Sequence, residues 1–65
     1  MSWEAYRRRL RIHAAIELLD GTDRTVGAIA AEVGYENQAA FAKTFREAVG
    51  MAPTDYRNTK RRPLA

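Results

Sequence analysis

The chain has 65 residues, with 11 Lys or Arg against eight Asp or Glu, a formal charge of +3, one histidine and no cysteine. This length permits one small domain with a modest core, which excludes a multidomain enzyme and a deep catalytic cleft. The missing cysteines exclude disulfides and thiolate sites, and one histidine excludes a His-pair metal site. We therefore expect a soluble, basic, intracellular module without enzymatic activity, metal or cofactor, whose partner is a polyanion and not a membrane.

The first predicted helix runs from about Ser2 to Leu19, with Ser2 as its N-cap and Gly21 as its stop. It carries two apolar stripes at helical spacing. The first stripe consists of Ile12, Ala15, Ile16 and Leu19, and the second of Trp3, Leu10, Ala14 and Leu18. An outer helix of a small domain needs only one stripe. The second stripe is therefore either a set of ordinary exposed apolar residues or a contact with a missing subdomain, and we favour the second interpretation for Trp3.

The second predicted helix runs from about Val26 to Val33, with Thr25 as its N-cap and inward-facing Ile29, Ala30 and Val33. Gly34 is predicted to end it in the left-handed conformation that glycine adopts at little cost. A short helix followed by a tight turn with one glycine is typical of the first half of a helix-turn-helix.

The third predicted helix begins at Asn37 or Gln38 and ends at Val49 before Gly50. Its apolar face consists of Phe41, Phe45, Ala48 and Val49, with Tyr35 packing beside it from the turn. A last short turn has Pro53 near its start and Tyr56 pointing back to the core. Residues 58–65 are polar, basic and aperiodic, and we predict a disordered tail.

These elements predict an all-α fold, a small helix-turn-helix domain of three main helices plus a short C-terminal helical turn. The core is predicted to pack together residues from all three helices, each nearly fully buried: Ile16, Leu19, Ile29, Val33, Phe41 and Phe45.

The spacing of Ala30 and Gly34 favours a helix-turn-helix only weakly, because both residue types are common. The extended pattern is far more specific, and it resembles the AraC/XylS family of bacterial transcription regulators. The matching residues are Ile29, Ala30, Val33, Gly34, Tyr35, Phe41, Phe45, Arg46, Gly50, Pro53, Tyr56 and Arg57. Upstream, Arg11, Ile12, Ala15, Leu18 and Leu19 resemble the linker helix of that family.

The resemblance implies two helix-turn-helix units joined by a long helix, of which this chain matches only part. Residues 1–20 correspond to the linker helix and residues 21–57 to the second unit, so we expect a fragment of a longer regulator. Two positions depart from the family pattern. Ala28 replaces the usual acidic residue and Ala52 the usual Ser or Thr, which weakens helix N-termini by at most roughly 1 kcal/mol.

The second helix of a helix-turn-helix enters the major groove of DNA, which makes residues of about 37–48 the candidates for recognition. The candidates for base contacts are Gln38, Ala39, Ala42 and Lys43. Gln suits adenine, Lys suits guanine and Ala touches the thymine methyl group. The alternatives are that Gln38 and Lys43 are solvated surface residues and that the two alanines only permit close approach.

Phosphate contacts are expected from positive side chains and from helix N-termini, whose amides attract anions. The candidates are Arg24, Thr25, Asn37, Arg46 and Arg57. For Arg24 and Arg57 a solvated or paired charge is the equal alternative. Arg7, Arg8, Arg9 and Arg11 cannot all face one way on a helix, and we favour a solvated face over a DNA-contacting strip.

The predicted function is sequence-specific binding of duplex DNA by an AraC/XylS-like regulator in the bacterial cytoplasm, at the nucleoid. The alternative is a protein-interaction module that associates through the second stripe of the first helix, because a fold alone does not fix a function. In either case Trp3, Leu10 and Leu18 are expected to meet a missing first helix-turn-helix subdomain or a second copy of the chain.

Overall fold

The computed structural model describes residues 2–61, which form four helices. In chain order these are α1 (Trp3–Gly21), α2 (Val26–Glu32), α3 (Gln38–Val49) and α4 (Pro53–Arg61). Within residues 2–61 every regular element is helical, which confirms the predicted all-α class. Helices α2 and α3 form the helix-turn-helix, while α1 and α4 pack against it and against each other. None of the four helices is both long and apolar enough to cross a membrane.

The N-termini of α1, α2 and α3 are capped by side chains, of which Ser2 and Thr25 were predicted as N-caps. Ser2 Oγ accepts the Ala5 amide at 3.1 Å, and Thr25 Oγ1 accepts the Ala28 amide at 3.1 Å. Asn37 Oδ1 accepts the Ala40 amide at 2.8 Å, so α3 begins at Gln38. Each bond satisfies one of the amides that a helix start leaves without a partner in the helix.

Two of the three predicted glycine stops are confirmed. Gly34 and Gly50 have φ of +98° and +97°, the region that residues with a Cβ rarely adopt. Gly21 is different, because it is the last residue of α1 and Thr22 is the C-cap. The Thr22 amide and hydroxyl both donate to the Leu18 carbonyl, at 3.1 and 2.7 Å. The hydroxyl of Thr22, and not the flexibility of Gly21, therefore closes this helix end.

The core joins residues of α1, α2 and α3. Its buried residues are Ile12, Ala15, Leu19, Ile29, Ala30, Phe41 and Phe45, and Pro53 of α4 is buried as well. The prediction of near-complete burial was wrong for Ile16 and Val33, which are only partly buried and pack against this cluster. The reason is geometric, since Ile16 lines an open groove between α1 and the end of α3, and Val33, the C-cap of α2, lines a second groove beside α1. Ala48, predicted to face inward, is exposed.

Aromatic rings connect the turn of the helix-turn-helix to α4. The Tyr35 and Phe41 ring centroids are 5.5 Å apart, those of Phe41 and Phe45 5.6 Å, and those of Phe45 and Tyr56 5.7 Å. These spacings are those of favourable aromatic pairs. The predicted packing of Tyr35 and Tyr56 against the core is confirmed.

The C-terminal segment is more ordered than the sequence suggested. The predicted short turn is a nine-residue helix, α4, which begins at the buried Pro53. It includes residues 58–61, the first part of the predicted disordered tail, so that boundary was wrong. Lys60 Nζ lies 5.8 Å from the Tyr56 ring centroid one turn away, a contact that favours continued helix. Residues 62–65 lie outside the described part of the chain.

The second stripe of α1 is exposed at one end and covered at the other. Trp3 and Leu10 are 69% and 52% exposed, as predicted. Ala14 is half-buried, and Leu18 is half-buried against the core, so full exposure of the stripe was wrong at that end. Tyr6, 48% exposed, extends the apolar surface, and its ring lies 5.9 Å from that of Trp3. We call Trp3, Tyr6 and Leu10 the α1 strip.

Candidate nucleic-acid interface

Helix α3 has one buried face and one open face. Phe41 and Phe45 are completely buried, which fixes the rotation of the helix on the core. Ala39, Lys43 and Arg46 are consequently exposed, and Ala42 is half-buried. Gln38, in the first turn, is also exposed. At about 1.5 Å per residue, the 12 residues of α3 form a rod that fits the length and width of a major-groove contact. The structure therefore brings all four candidate base-contacting residues onto one helix.

Gln38 lies on the side of α3 that faces α2. Its Oε1 is 3.1 Å from the position that a Cβ at Gly27 would occupy. This close approach of the first turns of α2 and α3 has no local signal in the sequence, and it was not predicted.

Arg24 is partly neutralised within the domain. Its Nη1 forms an ion pair with Glu32 Oε1 at the other end of α2, and both side chains are about half exposed. An exposed pair of this kind contributes little to stability, so Arg24 can exchange Glu32 for an external anion. Next to it, the Thr25 hydroxyl accepts the Ala28 amide and keeps its own O–H as a donor.

Arg57 is held by main-chain acceptors. Its guanidinium donates to three carbonyls in the last turn of α1 and the connection to α2: Nε to Leu19 at 3.3 Å, Nη2 to Thr22 at 3.2 Å, and Nη1 to Arg24. The side chain thereby ties α4 to the loop that precedes α2. Sequence analysis proposed a phosphate contact for Arg57, and such a contact competes with these three acceptors.

The four arginines of α1 do not all face one way, as expected from helical geometry, since Arg9 lines the groove toward the end of α3. Arg7, Arg8 and Arg11 line a cleft with Glu4 and two residues of the helix-turn-helix, Tyr35 and Thr44. The Arg11 guanidinium lies 5.7 Å from the Tyr35 ring centroid, a cation–π distance. Arg11 thus packs on the turn between α2 and α3. His13 is exposed, and its Nε2 lies 3.3 Å from Glu17 Oε1.

Charges on the open face of α3 are mixed but mainly positive. Lys43 and Arg46 are exposed with Glu47 beside them, while Glu32 is engaged by Arg24. Asn37, at the N-cap, adds a carboxamide to the start of the helix, where main-chain amides favour anions. Among residues 2–61, no three His, Asp or Glu side chains converge in a way that would hold a metal ion. The face suits phosphates and base edges.

Comparison with known families gives a match over almost the whole chain. Residues 1–59 match the model of a helix-turn-helix domain. The HTH-type transcriptional activator RhaR of Pectobacterium carotovorum is 42% identical over 57 residues, which is 88% of this chain and 20% of that protein. The MmsAB operon regulatory protein of Pseudomonas aeruginosa is 35% identical over 52 residues, 80% of this chain and 17% of that protein. The chain thus spans about a fifth of the length of these relatives.

Solved structures share the arrangement of helices. The C-terminal domain of AraT, a response regulator from Geobacillus stearothermophilus, superposes with a TM-score of 0.89 at 34% identity, covering 100% of this chain and 52% of that one. The DNA-binding domain of the global transcriptional factor AdpA, solved in complex with a target DNA, superposes with a TM-score of 0.87 at 27% identity. This chain is covered completely there, and the AdpA domain to 60%.

Proposed function

Because this chain belongs to the AraC/XylS family of helix-turn-helix transcription regulators, we propose that it binds duplex DNA by placing α3 in the major groove. The observation that carries the proposal is the two-sided character of α3. Its phenylalanine face is completely buried, its opposite face presents Lys43 and Arg46, and its first turn exposes Gln38. The superposition on a domain solved with its target DNA supports the same role. Such a role belongs in the bacterial cytoplasm, at the nucleoid.

Base contacts come from the first two turns of α3 in this proposal. Gln38 pairs its amide with an adenine edge, and Lys43 donates to a guanine. Ala39 and Ala42 contact a thymine methyl group or allow the helix to approach closely. Direct contacts of this kind determine which sequence is bound, whereas contacts with phosphates position the protein on the duplex and add affinity.

Phosphate contacts surround this helix. Arg46 lies farther along α3, where a groove-bound helix leaves the bases and meets the backbone. Thr25 and Asn37 mark the N-termini of α2 and α3, and Arg24 lies next to Thr25. We leave Arg57 out of this set because its guanidinium is bonded to three carbonyls of the domain.

We further propose that the chain is the second helix-turn-helix unit of such a regulator, with α1 as the linker helix. The exposed α1 strip of Trp3, Tyr6 and Leu10 supports this proposal, since a single domain does not need it. The partial coverage of the AraT and AdpA domains, 52% and 60%, also supports it. The strip, continued by half-buried Leu18, then meets a first helix-turn-helix subdomain or a second copy of the chain.

The alternative function, a protein-interaction module acting through the strip, is separated from DNA binding by salt dependence. Affinity that comes from phosphate contacts falls steeply with salt, because bound cations are released from the DNA. Apolar association does not follow that law. A fluorescence titration with a random 20-base-pair duplex at two salt concentrations therefore decides between the two functions. A chain that shows no salt-dependent binding to the duplex argues for the interaction module.

The groove assignment predicts different effects for two α3 variants. Lys43→Ala should lower affinity for a duplex selected from a random library, and Gln38→Ala should relax preference at one base pair by about 1–3 kcal/mol. The readout is binding to the selected duplex and to its single-base variants.

Lys60→Ala is the control for Lys43→Ala, since it removes the same charge from exposed α4. It should lower the affinity for all duplexes slightly and equally. If Lys43→Ala and Gln38→Ala both keep the parent ratio of specific to random binding, base recognition lies elsewhere on the domain.

The α1 strip predicts weak self-association at high concentration. Covering apolar area contributes roughly 25 cal/mol per Å², so Leu10→Ser should weaken the association by about 1–2 kcal/mol. Met51→Ser is the matched control, because Met51 is 37% exposed but lies outside the strip. Sedimentation equilibrium at millimolar chain concentration measures both. A chain that stays monomeric there shows that the strip alone is too small to hold a second copy.

A further inference from the structure

Gly27 occupies an unusual position for a glycine. It lies in the first turn of α2, and glycine is less favourable than alanine inside a helix by roughly 1 kcal/mol. Its backbone does not require glycine, because positive φ among the glycines of residues 2–61 occurs only at Gly34 and Gly50. Gly27 therefore differs from an alanine here chiefly in the space that a Cβ would occupy.

That space is taken by Gln38. A Cβ built on Gly27 lies 3.1 Å from Gln38 Oε1, closer than nine in ten real Cβ contacts. A side chain at position 27 therefore displaces its neighbour by a few tenths of an ångström. The group that moves is the Gln38 amide, since it ends a flexible side chain. Its oxygen and nitrogen are of similar size, so exchanging their positions does not remove the close contact. The α2 and α3 backbones stay in place because the buried Ile29 and Phe41 hold them.

We propose that Gly27 is a positioning residue, which sets the direction from which the Gln38 amide approaches its base. This inference rests on the proposed function, in which Gln38 contacts an adenine edge. A pair of hydrogen bonds between an amide and a base depends on distance and angle at both atoms. A shift of a few tenths of an ångström with a rotated side-chain torsion changes that geometry. Gly27 acts here without touching the DNA.

The test is Gly27→Ala, with Gly21→Ala as the matched control. Gly21 is also helical without positive φ, and a Cβ there meets nothing within 4 Å. Both variants should fold with an unchanged or higher thermal midpoint, because alanine favours a helix. The probes are the duplex selected by the parent chain from a random library and its single-base variants. Gly27→Ala should change preference at the Gln38 base pair about three- to tenfold, as expected for a side chain forced off its preferred torsions. Gly21→Ala should leave every preference unchanged.

A double-mutant cycle separates this mechanism from a general effect on the fold. In the Gln38→Ala background, Gly27→Ala should have no further effect on base preference, because the side chain that it displaces is gone. The slope of affinity against salt should stay that of the parent, since no phosphate contact changes. An equal effect of Gly27→Ala in both backgrounds overturns the inference.

The cycle also distinguishes failure of the positioning role of Gly27 from failure of the groove contact of Gln38. If Gln38→Ala changes base preference and Gly27→Ala does not, the positioning role is refuted and the proposed groove contact stands. If Gln38→Ala changes no preference at any base pair, the role of Gln38 in the proposed function fails, and the positioning role of Gly27 fails with it.

Discussion

Phe45→Ala is expected to destabilise the domain by about 3–5 kcal/mol, the usual range for a buried phenylalanine. Phe45 is 0% exposed, and its ring lies between those of Phe41 and Tyr56. The substitution leaves a cavity where α3 meets α4 and removes two aromatic contacts. A domain of this size has a total stability of only about 3–10 kcal/mol, so the variant should be largely unfolded at room temperature.

Urea and thermal unfolding followed by helical circular dichroism measure the effect. Tyr6→Ala is the matched control, because it also removes an aromatic ring, but one that is 48% exposed on α1. It should change the free energy of unfolding by less than about 1 kcal/mol. A cooperative transition of the Phe45 variant near the parent midpoint would show that the core is not centred on this ring.

The helix boundaries were predictable because local chemistry sets them. Ser2, Thr25 and Asn37 each accept an amide three residues on, so a short polar side chain before an apolar run is enough to locate the start. Gly34 and Gly50 ended their helices for an equally local reason. Gly21 failed as a stop because the hydroxyl of Thr22 offered a competing way to satisfy the last carbonyls.

The depth of burial was less predictable, because it depends on which other elements cover a residue. Ile16 lies on the predicted inner stripe, yet it borders an open groove between α1 and α3. Leu18 lies on the predicted outer stripe, yet it packs against the core. Periodicity gives the direction of a side chain around its helix, but it does not show how much of that side chain a neighbouring helix covers. Because α4 is mostly polar, only a short turn was predicted there, whereas contacts with α1 and α3 support a helix of nine residues.

In the candidate site, the open face of α3 could be predicted from the sequence, but the contacts between α3 and α2 and between α4 and α1 could not. Once Phe41 and Phe45 are assigned to the core, helical geometry alone exposes Lys43. The contact of Gly27 with Gln38 depends on how α2 crosses α3. The contact of Arg57 with Leu19 joins residues 38 positions apart. Neither has a spacing that a single sequence could reveal.

Arg57→Ala is expected to lower the free energy of unfolding by about 2–4 kcal/mol. The guanidinium donates to carbonyls of Leu19, Thr22 and Arg24, two of them in partly buried bonds. Hydrogen bonds from a charged donor contribute about 1.5–3 kcal/mol each when well shielded, and partial exposure reduces that value. The loss should loosen the connection between α1 and α2, since Arg57 ties it to α4. Urea unfolding of the variant and the parent measures the difference.

Arg57→Lys tests whether geometry or charge is responsible. A lysine keeps the positive charge but replaces the planar fork of donors by one ammonium group, which cannot reach three separate carbonyls at once. It should recover less than half of the lost stability. If Arg57 instead contacts a phosphate, the alanine variant should lose about one unit of the slope of log affinity against log salt, and the lysine variant should keep it. A stable Arg57→Ala domain with that reduced slope would reassign Arg57 to the DNA backbone, because its three bonds to the loop would then contribute little to the fold.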